Sequence, residues 1–426
     1  MKVLVVGGGG REHALVWALS RSDRVKQIYC TPGNPGIETL AECVRVGLDG
    51  ISAIADFAES KQIDLVVIGP EAYLAAGLVD ELQRRGIPAF GPTKAAARIE
   101  TDKGYAKRLM ERKGIPTARY RQFDNAADAE KYVRTLDPPI VVKANGLAGG
   151  KGVTVARSHE EAVASIRSIM AERVFGDAGD LVLIEEFLEG EEASVLAFCD
   201  GKHVVPMQPA QDHKRAYDGD TGPNTGGMGA YSPVSIVDEK TRQRILDEIL
   251  IPAVEGLYEE GTPYVGVLYA GLMIGPDGPK VVEFNARFGD PEAQVVLPRL
   301  RTDLAQVMQA CVTGALDQVT LDFAAETAVC VVMASRGYPG DYQVGYEIRG
   351  LDQFVGSGDI LIFHAGTARR DGRLVTNGGR VLGVTALGSD ILDAVRRAYD
   401  AVDKIEFENA QYRTDIGFRE VARVSK

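Results

Sequence analysis

Short apolar runs and amphipathic segments alternate over the first hundred residues of this 426-residue chain. Residues 2–6, 27–30, 65–69 and 88–90 are strand-like, and residues 12–19, 51–60 and 72–85 place apolar side chains at helical spacing between them. Parallel strands need a crossover, and a helix is the usual one, so the pattern predicts an open parallel sheet flanked by helices.

The chain is too long for one ordinary core. A boundary is expected near Gly91-Pro92, and a helix capped by Thr101 or Asp102 should run to Gly114 and Pro116. Residues 120–190 predict a small, mobile α+β unit, with strands "IVVKA" and "VTVA" around a glycine-rich turn, a helix at 159–170 and a strand "LVLIEEFL". Residues 206–233 show neither helix nor strand period although they sit within a compact region, which predicts a structureless lid or binding loop. A long helix is expected at 238–260, then strands "GVLYAGLMI" and "PKVVEFNA" joined by a "GPDG" turn. From residue 326 onward, short strands, a hairpin turn at "RRDGR" and a helix at 390–402 predict a separate α+β domain. The expected fold is thus α/β and α+β multidomain. An N-terminal Rossmann-like domain spans 1–101, a central region 102–325 and a C-terminal domain 326–426.

Several function classes are disfavoured by composition. A net charge of -12 is the wrong sign for wrapping nucleic acid. No apolar run approaches the roughly 20 residues of a membrane span, so a cytoplasmic chain with no membrane partner is expected. Cys30, Cys43, Cys199, Cys311 and Cys330 are scattered and form no C-x-x-C pair, against both a disulfide framework and a zinc knuckle. The five histidines show no metal-ligand spacing, and no nucleophile elbow is present.

The glycines at residues 7–10 suggest a dinucleotide site, but the third small residue of G-x-G-x-x-G is replaced by Glu12 or His13. No acidic residue follows the second strand to hold a ribose, which argues against a nicotinamide oxidoreductase. Exposed amides at a helix start still suit an anion, so Gly9 and Arg11 are candidates for a phosphate site, although a plain tight turn would read the same way. The second glycine cluster, "KANGLAGGKGV", is no Walker loop, because Lys151 precedes Gly152 and a strand. It reads as a flexible hairpin tip whose amides, with Lys143 and Lys151, can approach phosphate oxygens. In "IEEFLEGEEAS", Glu185, Phe187 and Leu188 can form an adenine slot and Glu192 can accept from a ribose hydroxyl, though a solvated acidic turn looks similar.

The strongest signal is "VVEFNARFGDPEAQ" at 281–294. Period two puts Val282, Phe284, Ala286 and Phe288 on one side and Glu283, Asn285 and Arg287 on the other. Glu283 and Asn285 are oxygen ligands side by side, suited to Mg²⁺ completed by phosphate oxygens and water. Arg287 can fork onto a phosphate or carboxylate.

In their order, Lys103 on a helix, Lys143 before a glycine hairpin, the E-E-F-L hinge and E-x-N-x-R resemble the ATP-grasp superfamily. Within it, "VLVVGGGGREHAL", "HKRAYDGDTGPNTGGMGAYSP", "RFGDPEAQ" and "NGGRVLGV" resemble the phosphoribosylamine-glycine ligase family over essentially the whole chain. The resemblance implies central ATP-grasp domains and ATP-dependent joining of glycine to 5-phosphoribosylamine through glycyl phosphate, the second step of purine biosynthesis, by a monomer. It implies Lys103 and Lys143 on ATP phosphates, Glu185, Phe187, Leu188 and Glu192 around adenosine, and Mg²⁺ or Mn²⁺ on Glu283 and Asn285. Arg287 and Lys143 would serve catalysis, with Gly9, Arg11, Asp212, Lys214, Arg215, Arg287 and Asp290 near the substrates. One departure is visible: "GVLYAGLMI" offers no carboxylate where many relatives carry a further metal ligand. Three rivals predict different behaviour: a relative acting on another carboxylate, a nicotinamide oxidoreductase, and a sensor that binds ATP without turnover.

Overall fold

The computed structural model describes residues 1–46, 50–149 and 151–425, so Gly150 of the glycine-rich turn and Lys426 lie outside the described residues. The N-terminal sheet is parallel and five-stranded, in the order Glu42–Cys43, Gln27–Pro32, Lys2–Gly7, Leu65–Ile68, Ala89–Phe90. Alternate side chains of its central strand serve two cores: Leu4 and Val6 pack with Ile54 and Leu82, and Val3 and Val5 pack with Leu15 and Leu19. Burial on both faces explains the continuous apolar run. The single helix expected at 72–85 is two, Glu71–Ala76 and Leu78–Arg84, divided at Gly77 with φ +88°. Glycine takes that left-handed conformation without steric cost, so it ends one helix and begins the next.

Beyond the sheet, helix Lys103–Lys113 is capped by Asp102, whose side chain accepts from the Tyr105 amide, and closed by Gly114. The small unit is an antiparallel sheet in the order Tyr120–Phe123, Val182–Glu186, Ile140–Ala144, Val153–Ala156. Its core, with Ile140, Val142, Ile166 and Val182, is separate from the others. The larger central sheet is also antiparallel, in the order Val204–Pro206, Glu191–Asp200, Val265–Gly275, Gly278–Asn285.

Residues 206–233 are not structureless. Gln211–Asp212 and Gly229–Ser232 are strands of the C-terminal sheet, where Gly229–Ser232 pairs antiparallel with Thr327–Ser335. Arg215–Tyr217 and Thr221–Asn224 form a small hairpin. Strands of two to four residues are too short to display a period, and Gly229–Ser232 has its partner strand Thr327–Ser335 about a hundred residues away. The C-terminal sheet continues through Arg380–Gly388 and Ile360–His364, with helix Ile391–Val402 packed on it. These pairings carry the 211–232 segment from the central region onto the C-terminal sheet.

Candidate functional site

A cavity of about 440 Å³ lies where the N-terminal, central and C-terminal parts meet. One end is built on lysines. Lys103, at the start of its helix, donates to Gly146 O at 3.0 Å. Lys143, on the second small-sheet strand, donates to Val282 O at 3.0 Å and so ties that sheet to the strand bearing Glu283. Its ammonium is also 3.0 Å from a Glu185 carboxylate oxygen, and Lys107 Nζ reaches the same oxygen at 3.0 Å. Lys107, one turn after Lys103, was not legible as a site residue. Burial pulls its amine down to about 8 against the opposing charge of Glu185. Burial also lowers Lys103, with the Glu283 charge opposing. The other Glu185 oxygen is buried without a partner among the described residues. Glu185 is thus first an anchor for two buried ammoniums, with one acceptor left over at the cavity wall. Phe187, Leu188 and Glu192 line the same end.

The Gly278–Asn285 strand differs in one respect from a plain period-two reading. The register shifts between Gly271 and Leu272: Gly271 faces Glu283 while Leu272 faces Val281, so Val282 is an extra residue, a β-bulge. Val281, not Val282, is therefore the core residue, and Val282 lines the cavity beside Glu283 and Asn285. Beyond the bulge the alternation holds, with Phe284, Ala286 and Phe288 buried. Opposite Glu283 and Asn285 stand Gly271 and Tyr269. The Tyr269 hydroxyl donates to Glu292 at 2.9 Å. Among the described residues no group of three or more His, Cys, Asp or Glu is arranged so that it could hold a metal ion by itself. A carboxylate and an amide oxygen are hard donors that fit Mg²⁺ or Mn²⁺, provided other oxygens complete the shell.

At the other end the charges are arginines and carboxylates. Arg287 Nη2 is 3.0 Å from Glu100 and its Nε 3.2 Å from Glu71, two acidic residues that sequence reasoning did not connect with it. Glu100 also accepts from the Ala286 amide at 2.6 Å, which locks the arginine's strand to the short helix Arg98–Thr101. Burial opposes charge on Arg287, yet the two carboxylates hold its guanidinium above the usual range. Asp290 takes a contact of 3.3 Å from Arg380 Nη1 and a long one of 3.5 Å from the Arg11 amide.

The helix start at Gly9 and Arg11 does not offer a free anion cradle. The Gly9 amide donates to the Glu12 carboxylate at 2.6 Å, and Arg11 Nε is paired with the same carboxylate at 2.6 Å. Glu12 and Asp290 are the anions at this helix start. Arg11 still lines the cavity, whereas Gly9 does not. Arg215 also lies outside, donating to Gly222 O at 2.8 Å within its hairpin. Asp212 and Lys214 line the cavity and lie 3.2 Å apart, and Lys214 also pairs with Glu192. Burial pushes the Asp212 carboxyl up to about 7.

Three family models match the chain: the phosphoribosylglycinamide synthetase N domain over residues 1–100, its ATP-grasp (A) domain over 101–293, and its C domain over 328–419. A phosphoribosylamine–glycine ligase of Caldanaerobacter subterraneus is 50% identical over 98% of this chain and 99% of its own length. The human trifunctional purine biosynthetic protein adenosine-3 is 49% identical over 99% of this chain, which covers 42% of that longer protein. The crystal structure of a Thermotoga maritima phosphoribosylamine–glycine ligase matches with a TM-score of 0.85 and 36% identity, covering 98% of this chain and 100% of that one. A biotin carboxylase domain from Hydrogenobacter thermophilus, solved with MgADP and bicarbonate, shares the fold at a TM-score of 0.72 and 16% identity, over 96% and 91% of the two chains.

Proposed function

The chain belongs to the phosphoribosylglycinamide synthetase family, and from that premise we propose that it ligates glycine to 5-phosphoribosylamine at the expense of ATP. The observation that carries the reading is the convergence of Lys103, Lys143, Glu283 and Asn285 on one cavity, from three separate elements. Glycine's carboxylate oxygen attacks the γ-phosphorus, giving glycyl phosphate and ADP. The amine of phosphoribosylamine then attacks the carbonyl carbon, and phosphate leaves with the C–O bond electrons. Phosphoryl transfer asks for alignment and charge neutralisation, and alignment alone is worth roughly 7–11 kcal/mol.

Each residue has a task in this scheme. Lys103 and Lys143 face the triphosphate, and Glu185 fixes the Lys143 ammonium and leaves one oxygen for the adenine amino group. Phe187 and Leu188 supply the apolar slot, and Glu192 the ribose acceptor. Glu283 and Asn285 would hold Mg²⁺ or Mn²⁺, which would supply charge neutralisation. Arg287, oriented by Glu71 and Glu100, meets the acyl phosphate charge. Asp212 accepts a hydrogen bond from the substrate amine, with Lys214 beside it, and Arg11 and Asp290 face the rest of the sugar substrate. The wall from 212 to 229 shields the acyl phosphate from water.

The same reading makes the chain a monomer of the cytoplasm, with glycine and phosphoribosylamine as its partners. Among the described residues no helix is long and apolar enough to cross a membrane. The test is ADP release with ATP, glycine and phosphoribosylamine generated from ribose 5-phosphate and ammonia. Release should require all three. Equal release without glycine, or none in the complete mixture, contradicts the proposal.

A further inference from the structure

One arginine at the cavity wall is left unused by the scheme above. Arg380 is the one residue beyond position 325 among the described residues that lines the cavity, and its side chain is 22% exposed. Its hydrogen bonds and ion pair to described residues all come from a single nitrogen: Nη1 reaches Gly226 O at 2.8 Å, Asp290 O at 2.8 Å, Gly227 O at 3.5 Å and an Asp290 carboxylate oxygen at 3.3 Å. Nε and Nη2, the two-pronged edge of the guanidinium, carry no hydrogen bond to any described residue. Arg11 is left in a similar way: Nε is held by Glu12 and Nη1 by Phe288 O at 3.1 Å, while Nη2 has no such partner. Asp290 pairs with the Arg380 guanidinium and accepts from the backbone amide of Arg11, and both arginines line the cavity.

A mostly buried guanidinium with an open fork is matched by a phosphate, which takes two parallel N–H···O bonds. Apart from Arg11, and from Lys103, which donates to Gly146 O and faces the triphosphate in the scheme above, the other cations of the cavity are already committed. Lys143 and Lys107 hold Glu185, Lys214 holds Glu192 and Asp212, and Arg287 spends Nε and Nη2 on Glu71 and Glu100. The Gly9 amide at the helix start is taken by Glu12.

We infer that the Nε/Nη2 edge of Arg380, with Arg11 Nη2 beside it, is the subsite for the 5-phosphate of the sugar substrate. The inference rests on the ligase reading for the identity of that substrate. It gives the C-terminal domain a part in substrate selection: Arg380 staples the 226–227 turn to Asp290 with one nitrogen and reads the phosphate with the other two.

Arg380→Lys separates stapling from reading, because a lysine ammonium can keep the carbonyl contacts but has no fork. The KM for phosphoribosylamine should rise on the order of 10- to 100-fold, the range of a lost charge-assisted hydrogen bond, while KM for ATP and glycine stay within about twofold. Melting temperature should stay near that of the native chain. Calorimetry with ribose 5-phosphate, in the presence of ADP, Mg²⁺ and glycine, gives a readout that needs no turnover. Binding should be present in the native chain, weakened in Arg380→Lys and in Arg11→Met, and absent for ribose. Unchanged ribose 5-phosphate binding in Arg380→Lys, or equal loss of all three substrates, overturns the subsite. A native chain that binds ribose 5-phosphate through Arg380 but forms no product would instead refute the ligase reading alone.

Discussion

Replacing Arg287 with methionine separates two roles that the structure gives one side chain. Its guanidinium lies 3.0 Å from Glu100, whose side chain is 5% exposed, and 3.2 Å from Glu71, whose side chain is 30% exposed. Removing the cation leaves Glu100 as a buried carboxylate without a counter-charge, a change that costs about 3–5 kcal/mol in comparable pairs. The Ala286 amide, 2.6 Å from Glu100, survives the substitution, so the lower end, about 3 kcal/mol, is expected. Glu71 can turn to water and adds little. Loss of a preorganised donor at developing charge costs a further factor of about 10² to 10³ in kcat. Adding Glu100→Gln to Arg287→Met removes the orphan charge, so the double variant should regain most of the lost stability and none of the lost rate. Urea melting and ADP release measure the two effects separately. Recovery of rate in the double variant, or full rate in Arg287→Met, would refute the assignment of Arg287 to the reacting charge.

Other consequences are open to similar measurements. Because the Asp212 carboxyl titrates near 7 and must be ionised to accept from the amine, kcat/KM for phosphoribosylamine should fall below about pH 7. Asp212→Asn should lose that acid limb as well as rate, and an unchanged limb in this variant would contradict the role. Lys143→Met should lower kcat by about 10² through the lost phosphate contact, and it should also loosen the small sheet, since the ammonium holds both Val282 O and Glu185. Faster amide exchange across Ile140–Ala144 would report that loosening, and native exchange would count against the tie. Removing divalent ions with a chelator should stop ADP release, and Mg²⁺ or Mn²⁺ should restore it; full activity in the chelated enzyme would rule out the metal at Glu283 and Asn285.

Much of the fold was legible because its signals are local. The helix Ile51–Ser60 and the cap at Asp102 follow from side chains within a few residues of one another. The same holds for the site strand: Glu283, Asn285 and Arg287 stand out because three polar groups interrupt an apolar period. What escaped depends on contacts distant in sequence. Glu100 meets Arg287 and the Ala286 amide across some 186 residues, and nothing near Glu100 distinguishes it from any helical glutamate. The strand Gly229–Ser232 is defined by its pairing with Thr327–Ser335. The bulge at Val282 is a property of two strands in register, so one strand read alone puts Val282 on the side of Phe284, where the structure has Val281 buried. Arg380 lies within the NGGRVLGV motif, but only the fold brings it to a cavity whose other walls are residues of the first three hundred.

The central claim is that Lys103, Lys143, Glu283 and Asn285 surround one triphosphate. A crystal structure with a non-hydrolysable ATP analogue, glycine and Mn²⁺ tests it most directly, since the anomalous signal of manganese fixes the ion independently. The account predicts the ion on Glu283 and Asn285, with both lysine ammoniums on the phosphate chain. An ion bound elsewhere, or a nucleotide remote from Lys143, would contradict it.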